Sequence, residues 1–283
     1  MSGEDEKRGT NALSEQTLHR LIALAVFLIP LTVFTLTMAP TLVFWDSGEF
    51  IATAYILGIP HSPGTPLFTL AGRVFAMLPL PLGAAARVNF FSVVCGSLAV
   101  LMGYLIAVNT LRFMYPGLKG ALGRFILYAG PFAGSMYLTF SDTFWRDSTE
   151  AEVYALNALV MGLCTYLALV WYRNPAGRTA PQKEGAAAPR EDAGERGLSR
   201  GLVYLIIYLL ALGIGFHLGT VLVYGGILAL FLLVKEKAFG NAEILIYTFG
   251  FAVILADMTM YRSSGVTLAG LLIFAALIAW STA

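Results

Sequence analysis

The sequence predicts an all-α protein: a polytopic membrane helix bundle with interfacial helices in its first outer loop. Three observations predict it. Hydrophobic residues make up 58% of the 283-residue chain and charged residues 12%, about half the roughly 25% that soluble domains carry. Those charges are gathered into short stretches, and the runs between them approach or exceed the about 20 apolar residues that a bilayer crossing needs. Lysine and arginine, finally, divide unequally between alternate connections.

The apolar runs lie at about 21–44, 88–111, 124–140, 153–172, 201–234, 244–261 and 265–280. The fifth is too long for one crossing. Gly213-Ile214-Gly215-Phe216-His217-Leu218-Gly219 interrupts its middle, so it reads as two short helices. That gives about eight crossings, with the break tolerated where protein or a water-filled cavity satisfies the freed backbone groups. Residues 1–19 are polar and read as a disordered tail. The run that follows is too long for a signal peptide's core, and Pro40 stands after the nearest small-residue site, so it reads as a signal anchor. Residues 20–283 then form one transmembrane domain. The chain ends at Trp280-Ser281-Thr282-Ala283 directly out of an apolar run, as expected of a short form or a fragment.

Fourteen of the 18 Lys and Arg residues fall in one set of connections, from Lys7, Arg8 and Arg20 through the 174–200 loop to Lys235 and Lys237. Only Arg73, Arg87, Arg146 and Arg262 occupy the other set. Basic loops stay in the cytoplasm, so the N-terminus and the 174–200 loop are expected inside. That loop, rich in Ala, Gly and Pro and carrying both charge signs, reads as a disordered linker. The net charge of +1 gives no footing for nucleic acid, and no phosphate-binding Gly-x-x-x-x-Gly-Lys-Ser/Thr loop occurs. Cys95 and Cys164 fall inside apolar runs and read as buried free thiols.

The first outer loop, 45–87, has structure of its own. Residues 47–57 are amphipathic and suit a helix. Residues 59–66 hold three prolines and a glycine, which forbid one. Residues 67–78 form a second apolar helix ended by Pro79 and Pro81. Neither helix is long enough to cross, so both are expected at the interface, with Trp45 as a boundary anchor.

Candidate site residues cluster in the two outer loops. Asp46 and Glu49 stand three apart and so share one helix face. They also fit a capping pair, which alone would account for both; a base or ion ligand at Asp46 is compatible with that role. In the second loop four acids, Asp142, Asp147, Glu150 and Glu152, lie within eleven residues. Thr149 and Glu152 suit a capping box for the next span. Glu150, Tyr154 and Asn157 fall at spacing 0, 4, 7, a stripe expected to face the bundle interior. His217 is either an interhelical tie or, where its segment turns among glycines, a neighbour of the acids. Arg73 could pair with Asp46 or Glu49, bind a lipid phosphate, or simply snorkel. Asn89 and Asn109 read as packing contacts.

These residues carry a resemblance. Phe44-Trp45-Asp46-Ser47-Gly48-Glu49-Phe50 and His61-Ser62-Pro63-Gly64-Thr65-Pro66-Leu67 resemble the signature of a family of multi-pass proteins. It comprises uncharacterised bacterial members and the animal transmembrane protein 260 type O-mannosyltransferases. Phe144-Trp145, Glu152-Val153-Tyr154-Ala155-Leu156-Asn157 and the glycine-flanked His217 resemble later blocks; the likeness covers roughly 20–235. The family more often has Pro and an aromatic residue where Ser62 and Thr65 stand.

The resemblance implies a GT-C type glycosyltransferase, inverting, with a catalytic acid just after the first span. The donor would be a polyprenyl-phosphate-linked sugar, and the acceptor a hydroxyl on a protein Ser or Thr or on a glycan. Asp46 and Glu49 would then be catalytic, and His61, Arg73, Glu150, Glu152, Tyr154, Asn157 and His217 would bind substrate. No cofactor is implied beyond a divalent cation at most, and its ligands are not assigned. Besides membrane lipids no further partner is expected. The site would face the outer, periplasmic side of a bacterial inner membrane. Two readings from other classes stand beside this one: a transporter or flippase of lipid-linked sugars, which would favour an internal repeat and midplane charges, and a non-catalytic membrane scaffold.

The basic-residue asymmetry makes a direct prediction. In intact cells a membrane-impermeant thiol reagent labels cysteines introduced near Thr65 and Ser141 and leaves one at Gly185 unlabelled; labelling at Gly185 would reverse the orientation.

Overall fold

The computed structural model describes residues 3–62, 65–173 and 190–214, together with His217, Thr220 and residues 226–227. The expected spans at 244–261 and 265–280, Lys235 and Lys237, and Pro63-Gly64 of the first-loop turn lie outside the described residues. Two compact units divide the chain. The first comprises Met1–Arg173 and Leu202–Val223, the second Asn174–Gly201 and Tyr224–Ala283.

Among the described residues all regular structure is helical: α1 (Gly3–Thr37), α2 (Ser47–Ile56), α3 (Pro66–Ala76), α4 (Ala84–Met114), α5 (Gly120–Thr139), α6 (Asp142–Thr149), α7 (Val153–Arg173) and α8 (Arg190–Ile214). Among the described residues three stretches are long and apolar enough to cross a membrane: Glu15–Thr37 of α1, α4 and α7. The run expected at 124–140 becomes α5, which has 20 residues but is diluted by glycine, tyrosine and Arg124. α8 reaches Ile214, and Gly215, Phe216, Leu218 and Gly219 of the glycine-rich break lie outside the described residues.

Three boundaries differ from expectation. α1 begins at Gly3 and so takes in most of the polar tail read as disordered. It stops at Thr37, seven residues short of Phe44, because Pro40 disfavours helix in the residue before it. α8 likewise starts at Arg190, inside the stretch read as a disordered linker. Residues 142–149, read as loop, form α6.

α4 is the centre of the first unit, with α7, α1 and α5 against it and α3 and α6 at its flanks. One part of the core is Val26, Val100, Tyr104, Val108, Leu127 and Tyr128, from α1, α4 and α5. Close approach depends on glycine at two crossings. A Cβ at Gly162 of α7 would come 2.9 Å from the Met102 side chain, and one at Gly96 of α4 would collide with the Ser148 side chain of α6. α2 and α3 pack as a hairpin, and a ladder of rings runs from them into α4: Phe50 to Phe68 at 5.3 Å, Phe68 to Phe91 at 5.4 Å and Phe91 to Phe75 at 5.1 Å between centroids. Such tilted aromatic pairs add about 1 kcal/mol each beyond burial.

The stretch between α1 and α2 is held by hydrogen bonds, since it has no helix of its own. Asn89, fully buried in α4, donates through Nδ2 to Ala39 O at 2.8 Å and Thr41 O at 3.0 Å. The Ala39 amide donates to Thr149 O at 3.0 Å, which closes the second loop onto the first. Trp145 Nε1 donates to Thr37 Oγ1 at 2.9 Å. The sequence reading of Asn89 as a packing contact is thus too weak: it satisfies two carbonyls that no helix can.

Asn89→Ala is expected to cost about 2 kcal/mol, the scale for buried carbonyls left without a donor. Asn109→Ala costs less, because the Asn109 amide bonds within its own helix, to Leu105 O, and its Oδ1 accepts only from Arg173 at an exposed position. Unfolding of both variants in detergent checks this; equal losses would deny Asn89 a special part.

Candidate functional site

Asp46 stands at the N-terminus of α2 directly after a residue in an unusual conformation. Trp45 has φ 83, in the left-handed region that a bulky side chain adopts only under constraint. Its indole and the Phe44 ring are exposed and lie 6.0 Å apart. The kink turns the chain from the pinned stretch into α2 and delivers Asp46 to its first turn. Asp46 makes no side-chain capping bond. Glu49 does not reach back either: its Oε1 accepts the backbone N–H of His61 at 2.7 Å, and its Oε2 lies 2.8 Å from His61 Nδ1. Capping therefore does not account for the pair. Glu49 instead ties α2 to the turn before α3, and the His61 ring packs 5.6 Å from Phe50.

Asp46, Glu49 and His61 each bring a donor atom within 4.8 Å of the others. The hydrogen bond from His61 holds the Glu49 carboxyl below its ordinary pKa. The same bond, with the Asp46 and Glu152 charges adding to it, raises His61.

The second loop meets this group through Glu152, which precedes the first residue of α7 and is 7% exposed. Its backbone carbonyl accepts from Ser92 of α4 at 3.5 Å. Its carboxyl accepts the Val153 amide; burial, then the Asp46, Glu150 and Asp147 charges, push it up to about 7. Burial also raises Asp147 and Glu150. Glu150 faces Arg146 at 3.9 Å, a loose pair in which the arginine is exposed and the carboxyl mostly covered. The capping box expected from Thr149 and Glu152 does not form, because Thr149 is the last residue of α6 and donates to Trp145 O and Arg146 O. Glu150 lies outside α7 for the same reason, so the 0, 4, 7 stripe is broken.

Tyr154 and Asn157 do lie on α7. The Tyr154 ring meets His217 edge-on at 5.1 Å, and Asn157 Oδ1 accepts from Thr220 Oγ1 at 2.7 Å. These join the His217 segment to the helix that follows Glu152. The Arg73 guanidinium donates to Tyr55 O and lies 5.5 Å from the Tyr55 ring centroid. It links α3 to α2 and forms no ion pair with Asp46 or Glu49. Sequence reasoning noticed Asp147 only as one of four acids within eleven residues, and missed Thr220.

Fold and site define a helical membrane protein with a carboxylate-rich centre where two interhelical loops meet. The chain belongs to the family described as the Protein O-mannosyl-transferase TMEM260 N-terminal domain, which matches residues 46–239. It is 39% identical over 142 residues to the Protein O-mannosyl-transferase TMEM260 of Mus musculus and 29% identical over 143 residues to that of Dictyostelium discoideum. Each match covers 50% of this chain but only 18% and 16% of those relatives. No solved structure matches significantly.

The raised carboxyl of Glu152 fixes the sign of a pH effect. Between about 4.5, its ordinary value, and about 7 the unfolded chain gives up a proton that the folded one keeps. Glu152 therefore withdraws stability as pH rises through that window. Glu152→Gln is expected to match the wild type at low pH and to gain on it up to pH 7, then level off, in unfolding followed against pH; a constant difference would contradict the burial.

Proposed function

We propose that the chain is a GT-C type membrane glycosyltransferase that transfers a sugar from a polyprenyl-phosphate carrier to an acceptor hydroxyl, with protein Ser or Thr as the acceptor. The observation that carries this reading is the meeting of Asp46, Glu49 and His61 with Glu152 at the junction of two loops, in a chain whose relatives are named protein O-mannosyl-transferases. The proposed setting is residues 20–283 as one domain of about eight crossings, N-terminus inside, with the site on the outer face.

In the proposed reaction the acceptor oxygen attacks the anomeric carbon while the bond from that carbon to the phosphate oxygen breaks. The electron pair leaves with the polyprenyl phosphate, and the hydroxyl proton passes to Asp46 as general base. Direct displacement inverts the anomeric centre. A lipid-phosphate sugar is already activated, so no nucleotide site is required. Glu49 and His61 brace the turn beside Asp46, and Glu150, Glu152, Tyr154, Asn157 and His217 belong to the sugar-facing side of the site. Arg73, engaged by Tyr55, supports the hairpin that flanks the carrier.

Asp46→Asn separates catalysis from structure. Asparagine keeps the size and remains a good N-cap but accepts no proton, so transfer from a polyprenyl-phosphate sugar falls by about 100-fold or more, with insertion and thermal stability unchanged. Near-normal transfer by the folded variant would move the base to the second-loop acids. Collapse of folding would return Asp46 to a structural role.

A further inference from the structure

We propose that Thr220 and Asn157 are positioning residues: their hydrogen bond fixes His217 beside Tyr154, next to Glu152, and so presents the imidazole to the sugar donor. The presentation rests on the glycosyltransferase reading. The fixing of the ring does not, and it can be measured without any transfer.

The chain beyond α8 does not run on straight. Residues seven apart in an α-helix stand about 10.5 Å apart along its axis. The Thr220 side chain nevertheless lies where a Cβ on Gly213 would fall, close enough to collide with one. Thr220 has therefore come back beside the end of α8, and the missing side chain of Gly213 is what admits it. The His217 amide donates to Gly213 O at 3.0 Å and the Thr220 amide to His217 O at 3.3 Å. Thr220 is fully buried, and its hydroxyl donates to Asn157 Oδ1 at 2.7 Å. The other end of that amide, Nδ2, lies 3.3 Å from Met161 Sδ, one turn on in α7. Both ends of a nearly buried amide are thus engaged inside the protein, so Asn157 serves the site by holding it.

Two contacts set the register. His217 meets the Tyr154 ring edge-on at 5.1 Å, and Thr220 meets Asn157. Tyr154 and Asn157 are three residues apart on α7, as His217 and Thr220 are in their own segment, a rise of about 4.5 Å in a helix. Tyr154 is the second residue of α7 and Glu152 immediately precedes that helix, so the ring contact places the imidazole at the end of α7 where the acids lie. Tyr154 is half exposed. Phenol and imidazole together offer a sugar an aromatic face and groups that bond its hydroxyls. An edge-on ring contact alone is weak and would let the imidazole swing. The buried bond one turn deeper, whose loss leaves Asn157 Oδ1 without a donor, makes the placement firm.

The test compares Thr220→Val, which keeps the shape and loses the hydroxyl, with Thr220→Ser, which keeps the hydroxyl, in the full chain in detergent. Modification of His217 by diethylpyrocarbonate is followed by mass spectrometry, with His61 as internal reference. Its rate is expected to rise about threefold or more in Thr220→Val, as the ring is released, and to return in Thr220→Ser. With a polyprenyl-phosphate sugar, KM for the donor rises about tenfold in Thr220→Val while kcat changes little. In a His217→Ala background the same substitution has no further effect on KM, which separates action through His217 from general support of the fold. Should Thr220→Val fail to fold, Asn157→Leu removes the acceptor instead, and the threonine hydroxyl can turn to a carbonyl of its own segment. An unchanged His217 rate in the folded variant overturns the proposal. So does an additive rise in KM in the double variant. A wild type that transfers no sugar would overturn the transferase reading and the presentation to donor with it, while the modification rates would still decide whether Thr220 holds the ring.

Discussion

The non-helical stretch that follows a helix stopped at a proline carries carbonyls with no helical partner, and where it packs against the bundle those groups must be satisfied by something. In this chain Asn89 does it. Its amide takes the carbonyls of Ala39 and Thr41, and the Ala39 amide in turn takes the last carbonyl of α6. The two connections are thereby fastened to each other and to α4. The kink at Trp45, the position of Asp46 and the placing of Glu152 beside it all follow from where that stretch is held. An asparagine in the first turns of a long apolar helix thus sets the register of two loops separated by a hundred residues.

Bringing carboxyls together has an energetic consequence that the structure distributes unevenly. Glu49 and His61 exchange hydrogen bonds at a solvent-exposed edge, where both charged forms are easily kept. Glu152 sits against protein, and its ionised form is disfavoured by desolvation before any neighbour is counted. The site therefore holds carboxyls of opposite tendency within one small volume: one that ionises readily, and one that retains its proton to near neutrality. Such a separation of acid strengths by environment is common where groups are used chemically.

The all-helical class was legible because composition and run length leave few alternatives. The two short first-loop helices were legible because Pro60, Pro66 and Pro79 mark their limits. Asp46, Glu49 and His61 were each noticed, and spacing showed that the two acids share a face. What spacing could not show is that Glu49 turns from its helix toward His61, twelve residues on, since that depends on how the 57–65 turn folds back. α6 was missed because Asp142 to Thr149 is polar and short, with no apolar period to reveal it. Its helix is supported by packing of Phe144 on Phe34 and Ser148 on Gly96, contacts that link distant parts of the chain. The Glu150 stripe failed for a related reason: helical periodicity was carried across a helix boundary.

The close approach of Ser148 to Gly96 has a consequence for depth. Ser92, which holds the Glu152 carbonyl, and Gly96 stand about 12 Å and 18 Å along α4 from its first residue, at 1.5 Å per residue. The second connection consequently lies alongside the central helix instead of resting on its end. The polar ends of that connection are therefore treated differently: Ser148 and Glu152, which face α4, are buried, while Arg146 stays exposed.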